Sequence, residues 1–165
     1  MIMLKNALRN APFCYISPIR VFEWLLIISC ICAGKGMIFK MKNLGYYNGK
    51  FGPLEEMMVP MNDRVCYFGD GVYDATYSRN GVIFALDEHI DRFFNSAGLL
   101  RIELPCTKDE MKDILNDMVS KVDSGNNFVY WQATRGTGIR NHAFPKEGKA
   151  NIWVTIKPAE VKDLS

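Results

Sequence analysis

The sequence predicts an α+β domain with a mainly antiparallel sheet and two helices, and three observations predict it. Two Asn-Gly dipeptides sit between strand-like residues, two apolar stripes recur at helical spacing, and two further strand-like runs follow the second stripe. The 165 residues suffice for one domain with a real core, or one domain plus an appendage. A composition of 48% hydrophobic and 23% charged residues is that of a soluble globular protein.

Residues 1–40 stand apart from this pattern. They contain Lys5, Arg9 and Arg20, then the apolar run "WLLIISCICAG". From Trp24 to Ala33 that run is about half of what a membrane-spanning helix needs, so no stable membrane span is expected. It is similar to a short export-signal core, and "IISC" to a lipoprotein cleavage box ending at Cys30. Against this, Glu23 opens the run and Pro12 and Pro18 interrupt any helix before it. Three readings stand: an unstructured or spurious leader, a weak interfacial segment, or an export signal. The patterned sequence begins at Met41.

From there the elements follow in order. "YYNGKF" and "SRNGVIFAL" are hairpin signals, because type I′ turns need φ > 0 at both central residues. Tyr46–Tyr47 should pair with Lys50–Phe51, and Tyr73–Tyr77 with Val82–Leu86. A helix starts near Asp87 as N-cap, with Ile90, Phe93, Phe94 and Ala97 on one face. A second helix follows Pro105 behind a capping box, Thr107 to Glu110. Its stripe of Met111, Ile114, Leu115, Met118, Val119 and Val122 is a core stripe. After "DSGNN" come strands at Phe128–Thr134 and Asn151–Lys157.

Charge and motifs exclude several functions. Twenty Lys+Arg against eighteen Asp+Glu leave a net charge of +2, with both signs interleaved, which argues against a nucleic-acid partner. Cys14, Cys30, Cys32, Cys66 and Cys106 form no CxxC pair and no ligand spacing with His89 or His142. They read as reduced thiols of a cytoplasmic protein without structural zinc. "AGKG" at Ala33–Gly36 lacks the spacing and the Ser/Thr of a P-loop, and no GxSxG or HExxH motif occurs.

The candidate chemistry lies in four places. Arg140 and His142 stand two apart in "TRGTGIRNHAF". In an extended segment such residues point the same way, roughly 7 Å apart, so a guanidinium and an imidazole can converge on one small anion. A solvated basic loop is the plainer alternative. In "FGDGVYDATY", Gly69 and Gly71 permit a sharp turn from which Tyr73 emerges at a strand start. Its phenol is either a ligand contact or half-buried packing. Arg92 lies off the apolar stripe of its helix, four residues after Glu88, which suits an i,i+4 ion pair or a phosphate contact. Tyr130 alternates with Val129 and Trp131, so one aromatic face of that strand looks away from the core.

Taken together, "RVCYFGDGVYDATY", "FALDEHIDRFFNSA" and "VYWQATRGTGIRNHAF" resemble the N-terminal part of D-amino acid aminotransferases. These are fold-type IV enzymes that use pyridoxal 5′-phosphate, alongside branched-chain aminotransferases and aminodeoxychorismate lyase. The resemblance runs from Met41 to Ser165 and implies the small N-terminal domain of that fold. It implies that Tyr73, Arg140 and His142 hold the substrate α-carboxylate, with Arg92 on the cofactor phosphate and Tyr130 lining the pocket. It also implies a homodimer, whose loop bearing the arginine and histidine reaches the neighbouring subunit's site. The implied substrates are D-amino acids and 2-oxo acids: D-alanine and 2-oxoglutarate give pyruvate and D-glutamate.

Such chemistry needs a lysine to carry the cofactor and an acid near the pyridine nitrogen. In the family both lie in a second, C-terminal domain. None of Lys40, Lys42, Lys50, Lys108, Lys112, Lys121, Lys146, Lys149, Lys157 and Lys162 stands in a matching context. The expectation is therefore a fragment, residues 41–165, inactive alone. The alternative is a non-catalytic dimerisation module derived from the same small domain.

Overall fold

The computed structural model describes residues 41–123, 125–145 and 148–160. The leader readings for residues 1–40, with Cys14, Cys30 and Cys32, lie outside the described residues, as do residues 161–165. Six strands form one sheet: β1 (Leu44–Tyr47), β2 (Lys50–Gly52), β3 (Gly71–Arg79), β4 (Val82–Ile83), β5 (Asn126–Thr134) and β6 (Asn151–Pro158). Their spatial order is β2-β1-β6-β5-β3-β4, and every pairing is antiparallel. Three α-helices accompany it: α1 (Arg64–Phe68), α2 (Leu86–Leu99) and α3 (Lys108–Ser120). The α+β class with a mainly antiparallel sheet is therefore observed.

The first hairpin forms in the expected register, Tyr46 opposite Phe51 and Tyr47 opposite Lys50. Both Asn-Gly turns have positive φ at both residues, 46° and 89° at Asn48-Gly49 and 50° and 82° at Asn80-Gly81. The second hairpin is shorter than the sequence suggests. Only Ser78–Ile83 and Arg79–Val82 pair, because the chain turns at Ala85 (φ 47°) and enters α2 at Leu86. Tyr73–Tyr77 pair with β5 instead.

Two helix boundaries also differ from expectation. Ala85, not Asp87, is the residue before α2, and it gives no side-chain cap. Asp87 lies in the first turn, where a carboxylate still favours the helix dipole. The capping box at α3 forms as expected: Glu110 N–H donates to Thr107 Oγ1 at 3.2 Å, and Thr107 N–H to Glu110 Oε2 at 2.7 Å. The short α1 was not expected. Asp63 caps its N-terminus by accepting from Val65 N–H, and Gly69 ends it at φ 63°. Both cap signals stand in the sequence, but five residues are too few for a helical stripe to show.

Alternation along the strands gives the sheet two different faces. On the covered face, cross-strand rows run Thr76–Val129–Ile156–Leu44 and Asp74–Trp131–Val154–Tyr46. There α2 packs on β3, and α3 packs on α2 and β6. Ile90, Phe93 and Ala97 of α2 are buried in the same core as Met111, Leu115, Met118 and Val119 of α3. A fully buried aliphatic or aromatic side chain contributes roughly 1.5–3 kcal/mol relative to exposure. The opposite face carries the rows Tyr73–Gln132–Trp153–Tyr47 and Ala75–Tyr130–Thr155–Gly45. There Tyr73 and Tyr77 are exposed. No described helix is long and apolar enough to cross a membrane.

Candidate functional site

The two faces divide the candidate residues. Tyr73 stands on the open face of β3, and its ring stacks on Tyr130 of β5, centroids 5.6 Å apart with the planes 21° from parallel. Tyr130 donates its hydroxyl hydrogen to Gln132 Oε1 at 2.6 Å. Burial pushes the Tyr130 phenol up, and the neighbouring Tyr73 phenol adds to the rise. The stack leaves the Tyr73 ring exposed to whatever meets this face.

Arg92 approaches β3 from the covered side. Its Nε and Nη2 donate to the two oxygens of Asp74, at 2.7 and 2.6 Å, and not to Glu88. A third donor, His89 Nδ1, lies 2.8 Å from Asp74 Oδ1, and the Ala75 N–H donates to the same oxygen at 2.7 Å. This places the His89 proton on Nδ1, so the 3.1 Å approach of Arg92 Nη2 to that nitrogen is two donors sharing one carboxylate. Burial pushes the Asp74 carboxyl up, but the hydrogen bonds from Arg92, His89 and Ala75 and the Arg92 charge outweigh it. The carboxyl lies below its ordinary value. The Asp74 side chain is only 2% exposed whereas that of Arg92 is 64% exposed, and Arg92 Nη1 has no partner among the described residues.

Arg140 and His142 sit in an irregular loop after β5 rather than an extended strand. Asn141 Oδ1 accepts from Ala143 N–H at 3.2 Å, a side-chain turn that bends the chain at His142. The two side chains nevertheless meet the same ring. The Arg140 guanidinium lies 5.4 Å over the Phe68 ring, and the His142 ring centroid is 5.3 Å from the same ring. Phe68 closes α1, so the unexpected helix supplies the platform.

A network that sequence reasoning missed holds the base of this loop. Arg64 Nε donates to Asp70 Oδ2 at 2.7 Å, and Arg135 Nε donates to both Asp70 oxygens at 2.9 and 3.0 Å. Arg135 also donates to the main-chain carbonyls of Leu100 and Arg101, at 2.8 and 3.0 Å. Asp63 Oδ2 accepts from Thr134 Oγ1 and Asn151 Nδ2, joining α1 to β5 and β6. Gly136, at φ 102°, admits Lys149 so closely that a Cβ there would stand 2.2 Å from the Lys149 carbonyl oxygen. Burial pushes the Asp70 carboxyl up, but the hydrogen bonds from Arg135 and Arg64 and their charges leave it below its ordinary value.

Among the described residues, no hydrogen bond, ion pair or ring contact joins Tyr73 to Arg140 or His142, or any of these to Arg92. One chain thus presents three separate groups: a basic pair on Phe68, a tyrosine stack, and an arginine held at one edge.

The chain matches the amino-transferase class IV family over residues 71–163, and it belongs to that family. It is 36% identical over 100 residues to the D-alanine aminotransferase of Staphylococcus haemolyticus, a stretch covering 61% of this chain and 36% of that protein. It is 37% identical over 108 residues to the D-alanine aminotransferase of Listeria monocytogenes serotype 1/2a, covering 65% and 37%. The matched stretch thus spans a little over a third of the length of these relatives. In fold, the chain is similar to a branched-chain amino acid aminotransferase from Escherichia coli. The TM-score is 0.67 at 17% identity, covering 72% of this chain and 42% of that one. It is also similar to a 4-amino-4-deoxychorismate lyase of Pseudomonas aeruginosa, with a TM-score of 0.59 at 23% identity, covering 69% and 39%.

Proposed function

We propose that residues 41–165 are the small domain of a pyridoxal 5′-phosphate-dependent D-amino acid aminotransferase, a cytoplasmic homodimer that exchanges the amino group between D-alanine and 2-oxoglutarate. The observation that carries this reading is the convergence of Arg140 and His142 on Phe68 within a class IV aminotransferase chain. A guanidinium and an imidazole held on one ring can offer a carboxylate several N–H donors. Charge-assisted hydrogen bonds of this kind are worth roughly 1.5–3 kcal/mol each. Anchoring the carboxylate fixes which face of the substrate Cα meets the cofactor, and so which enantiomer reacts. Tyr73 offers its phenol to the same carboxylate. Because one chain leaves Tyr73 without contact to Arg140 and His142, we assign the complete clamp to two subunits, the loop of one meeting the tyrosine of the other.

Arg92 fits the cofactor's phosphate. Asp74 holds one edge of its guanidinium, and the exposed remainder presents charged donors suited to a phosphate oxygen. Tyr130, stacked under Tyr73, lines the pocket. When bound, pyridoxal phosphate supplies the electron sink that amino-group exchange requires. These residues bind and orient.

The test joins this domain to the remainder of the S. haemolyticus enzyme and compares Arg140→Lys with the parent. Lysine keeps the charge but loses the fork. The kcat/KM for D-alanine should fall about 10- to 100-fold, the equivalent of one charge-assisted bond. An unchanged kcat/KM contradicts the carboxylate role.

A further inference from the structure

Arg64 is the most enclosed of the arginines just described, with a side chain 5% exposed. It opens α1, and its own N–H donates to the Gly136 carbonyl at 2.9 Å, at the root of the loop. Its guanidinium has two ends in use. Nε is fixed on Asp70, which Arg135 holds from another side. Nη1 donates to the carbonyl oxygens of Asn141 and Ala143, at 2.8 and 3.4 Å. Those carbonyls belong to the residues on either side of His142, and Asn141 directly follows Arg140. The Arg64 guanidinium also lies 4.8 Å over Phe68, the ring on which Arg140 and His142 rest.

The Asn141 carbonyl lies in the peptide plane before His142, and the Ala143 N–H, held by Asn141 Oδ1 at 3.2 Å, lies in the plane after it, so the His142 Cα–Cβ direction is restricted from both sides. Exposed loops ordinarily lack such restraint. We propose that Arg64 is a positioning residue that, braced by Asp70, fixes the Asn141 and Ala143 carbonyls and so aims Arg140 and His142 at the substrate carboxylate. This rests on the carboxylate reading above. Lysine cannot replace Arg64 in this role, because one ammonium cannot serve a carboxylate and two carbonyls in the fixed directions of a guanidinium fork.

The experiment uses the purified 165-residue chain and pyruvate, a 2-oxo acid with no ammonium to repel Arg140. Two readouts are followed: amide hydrogen exchange across residues 139–144, and the ring resonances of His142, one of only two histidines in the chain. In Arg64→Lys, exchange at 139–144 should quicken while β3 and β5 stay protected. The pyruvate midpoint of His142 should rise about tenfold, as expected when a contact loses its aim. Arg140→Lys should weaken the response yet keep the loop protected, which separates the contact from its positioning. An Arg64→Lys protein with an unchanged midpoint overturns the proposal, whether or not its loop exchanges faster. If the parent chain does not respond to pyruvate, the carboxylate reading fails, and faster exchange in Arg64→Lys then makes Arg64 a structural anchor only, which also overturns the proposal. Should Arg64→Lys not fold, the parent's Arg64 Nη protons decide. Distinct, protected resonances coupled to the Asn141 carbonyl support it, and freely averaged ones overturn it.

Discussion

Asp70 and Asp74 stand four residues apart around the start of β3, and each is the hub of a cluster of side-chain donors. The clusters differ in what their arginines do next. Around Asp70 both arginine side chains are nearly enclosed, 5% and 11% exposed, and their further hydrogen bonds end on main-chain carbonyls. Around Asp74 the arginine is mostly exposed, and only one edge of its guanidinium is held. The first cluster is built to hold a loop and the second to hold out a charge. An arginine's burial and its main-chain partners, more than its ion pair, separate architecture from binding.

The largest expected effect breaks the architectural cluster. Asp70→Asn leaves Arg64 and Arg135 enclosed without a counter-charge, which should cost about 3–5 kcal/mol of stability. Asp74→Asn should cost less, because the exposed Arg92 can turn to water. Urea denaturation of the two variants measures the difference. Equal losses would dissolve the distinction.

A smaller effect lies on the acid limb. Both carboxyls sit below their ordinary value in the folded state. Their contribution is therefore present above the unfolded pKa of about 3.9 and is lost as pH falls through the lower folded values. Removing the Arg92 guanidinium in Arg92→Ala should move the Asp74 transition to higher pH and leave that of Asp70 in place. Carboxyl-carbon resonances followed from about pH 6 downward report each one separately.

The sequence made the local part of this structure legible and left the long-range part hidden. The Asn-Gly turns and the Thr107–Glu110 box act within a few residues, so their residue types suffice to announce them. The insertion of β6 between β1 and β5 pairs residues more than a hundred positions apart, such as Leu44 with Ile156, and no periodicity records it. The site follows the same division. "RNH" announces two donors for an anion, but their support, Asp70 to Arg135, spans 65 positions. One signal was available. In β3, Asp74 falls in the alternating row of Val72, Thr76 and Ser78 that faces the core, and a carboxylate there requires a cation. Arg92 was the arginine to pair with it.

The distinction between held and offered arginines is tested most directly by their own resonances. Inorganic phosphate is added to the 165-residue chain while the Nε–H signals of Arg64, Arg92 and Arg135 are followed. Arg92 should shift saturably, with Arg64 and Arg135 unmoved. An Arg92 signal that stays still, or Arg64 and Arg135 signals that move with it, would contradict the account.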